Sequence, residues 1–123
     1  MTTSKNNILV VGASPDPNRF SYLCTKRLLD KGYPVIPLGK RSGQIAGLDI
    51  VVDQNGVNDV DTVTMYLSLW NQADMVDFIM DLNPRRIIFN PGAENPSLKS
   101  KAEKAGVETV DACTLVMLSA GTF

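Results

Sequence analysis

The chain has 123 residues, a net charge of −1 and no histidine, with 44% apolar and 20% charged residues. That length suits one domain, spanning 1–123, with a single core, and the composition is that of a globular protein rather than a fibrous or disordered one. The near-neutral balance excludes the basic field that holds nucleic acid or an anionic membrane, and the missing histidine removes the commonest general base and metal ligand.

The polar opening Thr2-Thr-Ser-Lys-Asn-Asn7 carries no apolar signal segment, and no apolar run approaches the ~20 residues needed to cross a bilayer. With only Cys24 and Cys113, this fits a reducing interior and predicts a cytoplasmic location. Ile8-Leu-Val-Val11 then reads as a strand covered on both faces, and Gly12 lets the backbone turn sharply or approach a ligand. Phe20, Leu23, Cys24 and Leu28 fall at helical spacing, so a first helix is predicted over Phe20 to Lys31, capped by Asn18 or Ser21 and ended by Gly32. Pro34 to Leu38 is the second strand.

Residues 39–59 show no helical period and predict a loop with a small extra strand at Ile50-Val51-Val52. Val60 to Leu67 alternates as strand three. Asn71 is placed to cap a second helix with Asp74 three residues on, while Trp70 and Met75 form a hydrophobic staple and Met75, Val76, Ile79 and Met80 a buried stripe. Arg86 to Phe89 is strand four, followed by a turn at Asn90-Pro-Gly-Ala-Glu94. Asn95 at the cap and Pro96 at the first helical position start a third helix, with Leu98, Ala102 and Ala105 inward and Gly106 at its end. Val107 to Val110 is a fifth strand at an edge, and Leu115 to Leu118 a short final helix. The alternation predicts an α/β, Rossmann-like three-layer α/β/α sandwich with a five-stranded parallel sheet in the order 3-2-1-4-5.

In such a sheet, ligands bind where the crossovers leave on opposite faces. The loops expected there are Gly12 to Arg19, Gly39 to Gly43 and Asn90 to Asn95. A plain NAD fingerprint is incomplete, because Ser14 and Pro17 stand where the second and third glycines belong. Where NAD-binding domains carry an acidic residue for the ribose, this chain has Gly39, Lys40 and Arg41. Two cations there suit a ribose bearing an extra phosphate, as in NADP or in the 3′-phosphorylated ADP of coenzyme A; a solvated loop is the bland alternative. Arg19 is a phosphate-binding or loop-locking residue, and Asp16 must point outward or pair with it.

Gly12-Ala-Ser-Pro with Asn18-Arg-Phe-Ser-Tyr22, Gly32-Tyr-Pro-Val35, Asn90-Pro-Gly-Ala-Glu-Asn-Pro96 and Ala112-Cys-Thr-Leu-Val-Met-Leu118 together resemble the small stand-alone CoA-binding proteins of the Rossmann type. The likeness covers essentially the whole chain. More distantly it extends to the CoA-binding domain of the succinyl-CoA synthetase alpha subunit and of NDP-forming acyl-CoA synthetases. The resemblance implies that Gly12, Ala13 and Ser14 offer backbone and hydroxyl donors to the CoA phosphates, with Arg19 and Ser21 beside them. It further implies that Lys40 lies near the adenosine phosphate and that the loop from Asn90 through Pro91 and Gly92 to Asn95 lines the far wall. Leu38-Gly39-Lys40 stands where many stand-alone members carry Asn-Pro.

Those synthetases use a phosphohistidine on a further domain, and this chain has neither. Cys113 after strand five is the one candidate nucleophile, but without a histidine partner it reads as a packed small residue, and Cys24 as core. Glu94 and Asp111 lack a partner base and no metal-ligand cluster is visible, so they read as loop acceptors. The sequence therefore points to a binding module for coenzyme A or an acyl-CoA rather than to an enzyme. The alternatives are an NADP-binding oxidoreductase-type module, or a scaffold with a vestigial groove that works through a protein partner or as a homodimer.

Overall fold

The computed structural model describes residues 6–123; the polar opening at Thr2 to Lys5 lies outside the described residues. Parallel strands β1 (Asn7–Val11), β2 (Val35–Leu38), β5 (Val60–Met65), β6 (Arg86–Phe89) and β7 (Glu108–Asp111) form one sheet in the order β2-β1-β5-β6-β7. A small antiparallel hairpin, β3 (Gln44–Ile45) with β4 (Leu48–Asp49), stands apart from it. Helices α1 (Phe20–Asp30), α2 (Val76–Asp81), α3 (Pro96–Lys104) and α4 (Thr114–Ala120) complete the chain.

The three layers follow from the two-residue period of the strands. Along β1, Leu9 and Val11 pack with Val63, Met65, Ile87 and Phe89 against Ile79 of α2 and Leu98 and Ala102 of α3. Ile8 and Val10 face the other way, onto Cys24 and Leu28 of α1, Leu118 of α4 and Ile45 of the hairpin. Each fully buried side chain of this kind contributes roughly 1.5–3 kcal/mol, so β1, lined on both faces, is the spine of the domain.

Val51 forms an isolated parallel bridge with Leu38 on the outer edge of β2. Counting that segment in chain order gives the Rossmann pattern: position 3 is the Val51 bridge, then β2, β1, β5 and β6 as 2-1-4-5, with β7 beyond. The Ile50-Val51-Val52 run is thus a single bridge, and the strand at Val60 lies beside β1. Crossovers from β1 through α1 and from β5 through α2 cover opposite faces. The topological switch therefore falls between β1 and β5, and the loop facing Gly12 is the one after Met65.

Local signals hold for α1, whose end at Lys31-Gly32-Tyr33 donates Gly32 N–H to Leu29 O and Tyr33 N–H to Leu28 O. They hold for α3 as well, where the Asn95 side chain accepts from Leu98 N–H and Pro96 opens the helix. Elsewhere the structure corrects them. Arg19, not Asn18 or Ser21, occupies the cap of α1 and makes no side-chain cap bond. Ala105 is the exposed C-cap of α3 rather than an inward residue. The second helix shrinks to Val76–Asp81 behind two 3₁₀ turns, Leu69–Asn71 and Ala73–Met75, and the staple is absent because Trp70 is 88% exposed.

Candidate functional site

Two adjoining hollows open over the carboxyl ends of β1, β2 and β5, sharing Gly12, Lys40, Leu67 and Asn71. The larger, of about 630 Å³, is walled by the loop from Gly12 to Ser21, by Lys40 and Arg41, and by Tyr66 to Ser68 and Pro91. The smaller, of about 430 Å³, has an apolar floor of Val11, Leu38, Leu67 and Met75 and a rim that carries Gly39, Lys40, Gln54, Trp70 and Asp74.

Gly12 sits at φ +93°, and a Cβ there would press on Leu67 and the Tyr66 carbonyl carbon at 3.2 Å. That close approach draws the first loop against the segment after β5. Gly39 is required differently: a Cβ on it would collide with the Ala13 carbonyl oxygen. The N–H groups of Gly12 and Ala13 both donate to Leu38 O, at 3.0 and 2.9 Å, so neither is free for a phosphate. This corrects the expectation that they donate to a ligand; they shape the wall instead.

The free donors lie further along. Ser14 Oγ accepts from Asp16 N–H, the Asp16 carboxylate accepts from Asn18 N–H and Asp16 O accepts from Arg19 N–H, which folds the loop into a tight turn in which Asp16 and Arg19 form no ion pair. The first bond into α1 runs from Leu23 N–H to Arg19 O. The N–H groups of Phe20, Ser21 and Tyr22 precede it, and an uncapped helix start of this kind attracts anions. The Ser14 N–H likewise meets no protein acceptor among the described residues. Arg19, Lys40 and Arg41 are exposed, and among the described residues none of the three forms an ion pair. The site thus combines three unpaired cations with an open helix terminus.

The loop after β6 behaves otherwise. Asn90 is buried, its amide donating to Thr64 Oγ1 and Met65 O while its Oδ1 accepts from Thr114 N–H at 2.8 Å. Its hydrogen-bonding capacity ties β5 and β6 to the start of α4, so the side chain does not face the groove. Gly92 donates its N–H to the Glu94 carboxylate and lies outside both hollows; Pro91 alone of this loop reaches the larger one. Of the sequence-predicted residues, Gly12, Ala13, Ser14, Arg19, Ser21, Lys40, Arg41 and Pro91 meet at the larger hollow and Gly39 at the smaller.

Sequence reasoning missed the segment from Tyr66 to Met75. Gln72 fixes it: buried, it donates to Leu67 O and Ala93 O and accepts from the Asn95 amide. The one local signal was a Ser-Leu-Trp-Asn run two residues beyond the end of a parallel strand. Behind the site, the Tyr66 hydroxyl is buried near Cys24 and Thr64 without a well-formed hydrogen bond. Burial pushes that phenol far above its ordinary range and the Cys24 thiol up to about 11, so both stay protonated at neutral pH. Cys113 is half-buried at the cap of α4. Asp111 is engaged by Lys99 at 3.0 Å. Among the described residues no group of three or more potential metal ligands is found, and no helix is long and apolar enough to cross a membrane.

Known proteins share this architecture. A family model described as CoA binding domain matches residues 6–119. A crystal structure of an uncharacterized protein superposes with a TM-score of 0.92 at 42% identity, covering 98% of this chain and 100% of the other. A protein from Thermus thermophilus, at 21% identity and a TM-score of 0.81, covers 97% of this chain and 91% of its own. The dinucleotide forming acetyl-coenzyme A synthetase 1 of Ca. Korarchaeum cryptofilum, at 20% identity and 0.70, matches 89% of this chain through 26% of its length. The last two carry the fold; the family match and the 42% relative carry more, and by them the chain belongs to the CoA binding domain family.

Proposed function

We propose that the groove binds coenzyme A or an acyl-CoA through its phosphorylated ADP moiety, without catalysis by this chain. The observation that carries this reading is the set of unpaired cations, Arg19, Lys40 and Arg41, around a cavity that also receives the uncapped start of α1. The diphosphate takes the N–H groups of Ser14, Phe20 and Ser21 with Arg19 beside them. The ribose 3′-phosphate takes Lys40 and Arg41 at the end of β2, and the pantetheine arm follows Tyr66 toward Pro91. Phosphate groups bound by charged and backbone donors in this way gain roughly 1.5–3 kcal/mol per contact.

Thermal unfolding with CoA, dephospho-CoA, NADPH and NADH at equal concentration tests it. A ligand at about 100 times its Kd adds ~2.7 kcal/mol to stability. A large rise with CoA that shrinks with dephospho-CoA is expected. A rise with NADPH alone would instead make the two cations a 2′-phosphate site, and no rise with any of the four would refute both.

A further inference from the structure

We infer that Trp70 is the base-stacking residue of the groove, receiving the adenine of the bound nucleotide on its exposed indole face; this rests on the CoA reading above. Trp70 is the one tryptophan of the chain and leaves 88% of its surface in water. Leaving an indole this exposed forgoes the largest apolar burial a side chain offers, and stacking a flat heterocycle recovers part of it.

Its exposure is enforced. Asn71 donates its N–H to Ser68 O and its amide to Ser68 Oγ, Gln72 N–H reaches Leu69 O, and the buried Gln72 side chain bonds to Leu67 O and Ala93 O. A segment pinned on both sides of residue 70 holds the indole at the rim of the smaller hollow. The floor there is apolar, and Gln54, Asn71 and Asp74 supply polar atoms at its edge, matching a ring with an apolar face and a polar periphery.

The connection to the larger hollow sets the direction. Lys40 borders both, so a nucleotide whose ribose phosphate lies on Lys40 and whose diphosphate lies at the start of α1 extends its base into the smaller hollow. Phe20, 70% exposed, lines only the larger hollow, as the first residue of α1 among the phosphate donors. Only Trp70 combines an open aromatic face with the apolar recess.

Because the chain has one tryptophan, its emission reports this contact directly. CoA, 3′,5′-ADP and 4′-phosphopantetheine are titrated into the full chain with heat and tryptophan emission followed in parallel. CoA and 3′,5′-ADP are expected to quench the emission, whereas 4′-phosphopantetheine, which has no base, leaves it unchanged. Trp70→Ala is expected to weaken CoA about tenfold and Trp70→Phe less, in line with base stacking on an aromatic ring. Heat of CoA binding with unchanged emission, or a Trp70→Ala variant that binds CoA as tightly as the parent, overturns the stacking role and leaves the CoA reading standing. Silence in both signals with CoA overturns the two together.

Discussion

Arg85 and Arg86 at the amino end of the sheet have partners, whereas Arg19, Lys40 and Arg41 around the groove at its carboxyl end form no ion pair among the described residues. At the amino end Arg85 pairs with Asp61 through two bonds of 2.9 Å. Next to it, Arg86 is buried, donates to Thr62 Oγ1 and lies 4.6 Å from the centre of the Phe123 ring. At the carboxyl end Arg19, Lys40 and Arg41 stand around a cavity with no carboxylate at ion-pair distance among the described residues. Positive charge that the fold has already matched serves stability, while positive charge left unmatched beside a cavity is available to a ligand. The loops over the carboxyl end divide in the same way: Asn90 has its side-chain polar groups engaged within the protein, whereas the N–H groups of Ser14, Phe20 and Ser21 meet no acceptor among the described residues.

The largest effect expected from breaking this contrast is on the internally matched side. Asn90→Ala removes the acceptor of the Thr114 N–H and two donors to β5, and should lower unfolding stability by about 2–4 kcal/mol in urea titrations. Gln72→Ala should do the same to a similar degree, because Leu67 O, Ala93 O and the Asn95 amide lose a common partner. A change within about 0.5 kcal/mol in either variant would show that these networks are incidental.

On the unmatched side the effects should reverse. Arg19→Ala is expected to leave stability within about 0.5 kcal/mol of the parent, as for an exposed side chain without partners, yet to weaken CoA roughly tenfold or more. Equal loss of stability and affinity would mean that Arg19 locks the loop instead.

The smallest effect belongs to the Asp61–Arg85 pair. Arg85 holds the Asp61 carboxyl below its ordinary range. Such a group contributes stability that is present above its unfolded-state value, near pH ~3.9, and is lost as pH falls through the lowered folded-state value. Asp61→Asn should therefore cost less than about 1 kcal/mol at pH 7, with the difference from the parent vanishing in strong acid. A difference that grows on acidification would contradict the pairing.

Much of this was legible because it is local. Four apolar residues before Gly12, the Asn95-Pro96 start of α3 and the Gly32 and Gly106 stops are each decided within a few residues. The Gly39-Lys40-Arg41 cluster was legible for the same reason, since position at a strand end and charge both stand in the sequence. What was not legible depends on distant partners. The Trp70-Asn71-Asp74 spacing imitates a helix start, but Gln72 bonds to Ala93 O and Asn95, far along the chain, and these bonds turn the segment into 3₁₀ turns with the indole outside. Asn90 likewise looked like a loop residue open to ligand; only the fold brings Thr64 and Thr114 within reach of it. The small extra strand expected at Ile50-Val51-Val52 is a single Val51 bridge, but its place at the outer edge of β2, which puts β5 beside β1 and the switch at the Tyr66 loop, depends on pairing that no local pattern shows.

The central claim is that Lys40 and Arg41 hold the 3′-phosphate of a bound CoA, and calorimetric titration of CoA and dephospho-CoA into the parent and a Lys40→Ala/Arg41→Ala variant tests it most directly. The parent should bind CoA about tenfold or more tightly than dephospho-CoA, the worth of at least one charge-assisted contact, and the double variant should bind the two alike. Equal affinities in the parent, or a preference for CoA that survives in the variant, would contradict it.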